Sequence, residues 1–144
     1  PEQVDVMLER VTGIAASVGL NYDYDSIKQT NMIKAHELLH LAKSHDKQIV
    51  MKERLLKAYF EEGKHVGKIE NLADLAAEVG LDRAEVVEAL TNETYLPAVK
   101  ADMAQAQAYG ISGVPFYVID GKFGISGAQD PSTFAAALTE ASQA

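Results

Sequence analysis

Gly113-Val114-Pro115-Phe116-Tyr117-Val118-Ile119-Asp120-Gly121-Lys122 decides how this chain is read. Proline has no N–H to give to a sheet ladder, so it belongs at a strand's first residue or at an edge. Only an X–Pro bond makes the cis isomer cheap, and Val114–Pro115 is a candidate for it. The apolar run Phe116–Ile119 predicts a strand buried on both faces. Asp120-Gly121 is a hairpin signal, with Lys122 to Ser126 as the returning strand. Gly127-Ala128-Gln129 then reads as a loop, Asp130 as an N-cap and Pro131 as the first residue of a helix running to about Ser142. Two strands do not make a stable sheet alone; they need further strands or a packed helix.

Upstream, the apolar period changes from strand to helix. Val4, Met7, Leu8, Val11, Ile14, Ala15 and Val18 recur at helical spacing, and Gly19 closes that helix. Residues 21–25 read as a connection. A second helix is expected from about Asn31 to Lys43, with Ala35, Leu38, Leu39 and Ala42 on one face. A third starts near Asp46, turns Ile49, Leu56 and Phe60 inward and stops at Gly63. Asn71 is expected to cap a short helix ending at Gly80. Asp82 and Glu85 form a capping-box-like start for the next, which ends near Leu90. Pro97 lies in the first turn of a helix that ends at Gly110. The expected class is therefore mainly α with a small β part (α+β): helices over 1–110, then a β-β-α unit over 111–144.

Composition bounds the function. Of 144 residues, 47% are hydrophobic, enough for a packed core. Thirteen basic against 21 acidic residues give a net charge of −8, which argues against nucleic acid and anionic membrane surfaces as partners. No apolar run approaches the ~18 residues of a membrane span. No leader is visible at the start, and the expected location is cytoplasmic. There is no cysteine, hence no disulfide framework and no thiol chemistry in this chain.

Two short motifs suggest other chemistries. His36-Glu37-Leu38-Leu39-His40 matches H-E-x-x-H, in which histidines at i and i+4 share a helical face and the glutamate serves as general base beside zinc. Asp46, Glu61 or Glu62 could be imagined as a third ligand. Against this, Lys43 stands where the extended motif needs glycine, and nothing before His36 reads as a strand. The expectation is two surface histidines and no metal. Residues 72–90 resemble a helix-turn-helix, with Ala76 at the tight position, Gly80 in the turn and Val86 inside. The second helix carries Asp82, Arg83, Glu85 and Glu88, which would repel phosphate, so a plain αα-hairpin is expected.

The order from Gly110 onward (glycines, Val-Pro, strand, Asp-Gly hairpin, strand, glycine, capped helix) resembles the C-terminal β-β-α unit of a thioredoxin-like fold. With Ile125-Ser126-Gly127-Ala128-Gln129 after it, and Asn31, 35–42, 52–60 and 71–81 before it, nearly the whole chain resembles the DsbA-like thioredoxin superfamily, in particular its FrnE-type subfamily. The resemblance implies a helical insertion followed by the β-β-α unit, in proteins that act as protein-disulfide oxidoreductases or isomerases on protein or peptide thiols and disulfides. It implies a role for Pro115 in the cis-proline loop beside a Cys-x-x-Cys, and for Val114 in backbone pairing with an extended substrate. Asn31 is a weaker substrate-side candidate, or simply a helix cap. No cofactor is implied.

The Cys-x-x-Cys and the β-α-β unit that carries it are not in these residues. The chain itself is therefore expected to be redox-inert, a fragment of such an enzyme, with a homodimer through the exposed strand as a substitute partner. Kappa-class glutathione transferases and 2-hydroxychromene-2-carboxylate isomerases share the layout, use serine and bind glutathione; they are the rival within the superfamily. A zinc metalloprotease and a helical interaction module are the rivals outside it.

Overall fold

A computed structural model describes residues 2–143. Its elements are α1 (Glu2–Ser17), α2 (Ile33–Ser44), α3 (Gln48–Phe60), α4 (Ile69–Glu78), α5 (Arg83–Thr91), α6 (Leu96–Ala108), β1 (Phe116–Ile119), β2 (Phe123–Ser126) and α7 (Pro131–Gln143). The chain divides into two compact units after Lys100. The division falls inside α6.

The first unit owns the core. Leu38, Leu41, Met51, Leu72, Leu75, Val86 and Leu90 are all fully buried. They come from α2, α3, α4 and α5, each of which turns one apolar stripe inward. α4 and α5 form the expected αα-hairpin. Gly80, at φ +81°, reverses the chain after α4, and Lys47 Nζ donates to the carbonyls of Val79 (3.0 Å) and Gly80 (2.7 Å). Those carbonyls have no partner within the helix, so a cation there stabilises the helix end. Asp82 caps α5, its carboxylate accepting from Glu85 N–H at 2.8 Å.

Three expectations need correction here. Asn71 is not a cap: α4 starts two residues earlier, after Lys68, and the Asn71 amide instead donates to the His65 carbonyl at 3.1 Å. In α3 the buried stripe is Met51, Leu55 and Ala58, while Ile49 is 79% and Leu56 46% exposed and Phe60 is half-buried. Both stripes have helical spacing; the placement of α2 and α4 against the helix chooses between them. In α1 most of the apolar residues at helical spacing remain exposed, and Ala15 is the buried one.

The second unit holds the hairpin. β1 pairs antiparallel with β2, Tyr117 opposite Ile125 and Ile119 opposite Phe123. Asp120 and Gly121 both have positive φ (51° and 65°), the conformation a tight primed turn requires. α7 lies on one face, where Tyr117 meets the Phe134 ring edge-on at 4.8 Å. β1 is not buried on both faces as expected: Tyr117, on the side of α7, stays 43% exposed beside Phe134, and Val118, on the opposite side, is 38% exposed. Among the described residues no helix is long and apolar enough to cross a membrane.

Candidate functional site

The candidate site is the loop that delivers the chain from α6 into β1. α6 ends in a tight backbone turn: Gly110 N–H donates to Gln107 O (2.9 Å) and Ile111 N–H to Ala106 O (3.0 Å). Gly110, at φ +67°, supplies the left-handed residue such an ending needs. The next residues are open to solvent, and Val114 is 92% exposed. The Val114–Pro115 peptide bond is cis.

From Pro115 the backbone alternates. The Pro115 carbonyl accepts from Gly127 N–H at 2.8 Å, so it points toward β2. The Ile119 carbonyl also faces inward, accepting from Lys122 N–H at 3.1 Å. Successive residues of a strand point their polar groups to opposite sides. The N–H and C=O groups of Phe116 and Val118 therefore face away from β2. Since β1 and β2 make the whole two-stranded sheet among the described residues, that outer edge of β1 has no ladder partner there. An unpaired edge next to an exposed loop is a template for another extended chain.

A second loop, read from the sequence only as a connection, buttresses the first. Gly127, at φ +86°, ties its N–H to Pro115. Gln129 Nε2 donates to the Ser126 carbonyl at 2.9 Å. The signal available was a glycine after a strand, which marks a bend but not its partner. Phe116 lies over Gly124, where a Cβ would stand 3.0 Å from the Phe116 ring. Asp130 caps α7: Ser132 Oγ (2.6 Å) and Ser132 N–H (2.9 Å) both donate to Oδ1. These hydrogen bonds hold the Asp130 carboxyl below its ordinary value.

The other candidate residues fall elsewhere. Asn31 is exposed just ahead of α2, one residue before the N-cap position Met32, and its Oδ1 accepts from Ile33 N–H at 2.8 Å. His36 is exposed and His40 half-buried, whereas Glu37 is fully buried on the core side. The glutamate of H-E-x-x-H thus lies away from the exposed histidine it would have to work beside. Its partner is Lys34, whose Nζ stands 2.9 Å from Glu37 Oε1 and donates to the Leu90 carbonyl at 2.7 Å. Burial alone would lower the Lys34 pKa, but the carboxylates of Glu37 and Glu93 outweigh it and raise it. Among the described residues no three His, Cys, Asp or Glu side chains are grouped to hold a metal. On α5, the second helix of the αα-hairpin, Arg83 is bound to Asp74 (2.7 Å) and Glu70 (2.5 Å).

Comparison with known proteins bears on this geometry. The family model described as "DSBA-like thioredoxin domain" matches residues 1–139. The uncharacterized protein YwbO of Bacillus subtilis is 34% identical over 107 residues, which are 74% of this chain and 53% of that protein. The crystal structure of a probable DsbA oxidoreductase from Streptomyces coelicolor superposes with a TM-score of 0.89 at 34% identity, covering 97% of this chain and 61% of that one. The chain therefore spans little more than half the length of these relatives.

Proposed function

We propose, from the premise that this chain belongs to the DsbA-like thioredoxin family, that it is the substrate-presenting part of a FrnE-type protein-disulfide oxidoreductase or isomerase. The observation that carries this reading is Val114, 92% exposed immediately before a strand whose outer edge is unpaired. An extended peptide with a thiol or disulfide can pair with the Val114 backbone, next to Pro115, whatever its side chains. That suits an enzyme acting on many proteins. Asn31, exposed at the head of α2, is a secondary contact.

The chemistry itself needs a thiolate. Exchange proceeds by attack of a thiolate on a disulfide sulfur through a mixed disulfide, and a chain without cysteine has no such group. The 144 residues are therefore redox-inert alone. Their activity depends on a β-α-β unit with a Cys-x-x-Cys, whose strand lies along the open edge of β1. In its absence a second copy of the chain takes that edge as a homodimer. The expected location is cytoplasmic.

The test joins a Cys-x-x-Cys β-α-β unit to the 144 residues and follows reduction of a protein disulfide. The joined protein should be active and the 144 residues silent. Val114→Ala should keep the activity, because the backbone is unchanged. Val114→Pro removes the N–H and should lower it by about tenfold or more, the worth of one well-placed hydrogen bond in a transition state. Equal activity of the two variants would remove the backbone-pairing role.

A further inference from the structure

The turn of the hairpin carries a reactive pair. Asp120 is the one aspartate of the chain followed by glycine, and no asparagine is. An aspartate side chain can close on the next main-chain nitrogen. That nitrogen bonds to Cγ, a carboxyl oxygen leaves as water, and a five-membered succinimide forms. A bulky following residue blocks the approach; glycine has no side chain to do so. Water then opens the ring at either carbonyl. Opening at Cγ restores aspartate. Opening at the main-chain carbon leaves isoaspartate, in which the chain runs through the former side chain.

The geometry of this turn leaves that reaction open. The Asp120 side chain is 63% exposed. A Cβ built at Gly121 would meet nothing within 4 Å, so the space around the pair is clear. Among the described residues the Gly121 N–H has no hydrogen-bond partner, whereas the next one, of Lys122, is tied to the Ile119 carbonyl at 3.1 Å. Asp120 also sits at φ 51°, in the left-handed region that costs any residue with a Cβ. Asp46 is the contrast. Its φ is 57°, but it precedes a lysine, and the Lys47 N–H donates to the Ala42 carbonyl at 2.8 Å.

One contact opposes the reaction at Asp120. Lys122 Nζ stands 3.3 Å from Oδ2, an ion pair that must loosen before an oxygen can leave. Conversion would also reach the strands. Isoaspartate adds one main-chain atom to a connection whose length sets the pairing of Ile119 with Phe123.

We propose that Asp120–Gly121 is a site of spontaneous isoaspartate formation, braked by Lys122, and that conversion loosens β1 from β2. Ring closure releases one water and ring opening consumes one, so no other reactant is needed. The inference is independent of the role proposed for Val114.

The full chain is aged at neutral pH in water enriched in heavy oxygen, then digested and mapped by mass spectrometry. The peptide holding residue 120 should yield an isomer that carries heavy oxygen and resists an aspartate-specific endoproteinase. The peptide holding Asp46 should not. Lys122→Ala should speed the conversion about threefold, the scale of an exposed ion pair, and Lys122→Arg should age like the parent chain. Lys122→Met serves if Lys122→Ala loses its hairpin by amide exchange. Asp120→Glu, whose ring would have six members, should give no isomer. In the aged chain β1 amides should exchange faster than in the fresh one. The proposal is overturned by no isomer at 120, by equal conversion at Asp46, by lysine-free variants that age at the parent rate, or by unchanged exchange of β1.

Discussion

The two units of this chain differ in what they bury. Through Lys100, four helices close over a shared core of aliphatic side chains. After it, Ile125 is the one hydrophobic residue among those described that is buried, and α7 buries none. The first unit is held by packing. The second is held by local chemistry: a tight turn, a capped helix and one aromatic contact. The exposed backbone proposed to meet substrate lies in the second. Regions that must open or exchange partners come from the less buried part of a fold.

The sharpest way to break that contrast is to empty the core. Leu72→Ala, at a fully buried position, should cost about 3–4 kcal/mol through lost transfer energy and a residual cavity. Urea unfolding monitored by helical circular dichroism measures it. A cost near that of an exposed position would mean the helical unit is not core-limited.

Next comes Lys34→Ala, expected to cost about 2–3 kcal/mol. It strands the buried Glu37 carboxylate and frees the Leu90 carbonyl. Lys34 keeps 22% exposure of its side chain, so water replaces part of the loss, hence a value below that of a sealed pair. Lys34→Ala together with Glu37→Gln should recover stability, and a double variant worse than the single would refute the pairing.

The units can also be compared through like features. Asp82→Ala and Asp130→Ala each remove an N-cap, worth about 1 kcal/mol to its helix. The first should lower the midpoint of global unfolding. The second should speed amide exchange in α7 and leave the helical unit unmoved. A global effect from Asp130→Ala would merge the two units into one.

How far the sequence disclosed this arrangement depended on the range of the interaction. Asp82, Asp130, Pro131 and the Asp120-Gly121 turn were legible because a cap or a turn is decided within four residues. The choice between two helical stripes on α3 was not, since Ile49-Leu56-Phe60 and Met51-Leu55-Ala58 are both apolar and only neighbouring helices distinguish them. The same limit misdirected Asn71, which serves the His65 carbonyl rather than a helix end. Val114 and Pro115 stood out through the pattern around them.

Acid gives the smallest effect. Hydrogen bonds from Arg54 hold the Glu62 and Glu78 carboxyls below their ordinary range, and Ser132 does so for Asp130. A depressed folded pKa stabilises above the unfolded value and loses that contribution as pH falls through the folded one. Stability should be flat near neutrality and decline below the ordinary carboxylate range. Arg54→Met should flatten the decline for the helical unit, as read from urea midpoints at several pH values.

Phe116 resting on Gly124 has a consequence for how such chains diverge. A side chain at 124 would meet the aromatic ring at 3.0 Å, and a smaller residue at 116 would leave the glycine uncovered. The ring would have to give by a few tenths of an ångström to admit a side chain at 124. Across descendants the two positions should therefore change together more often than either changes alone.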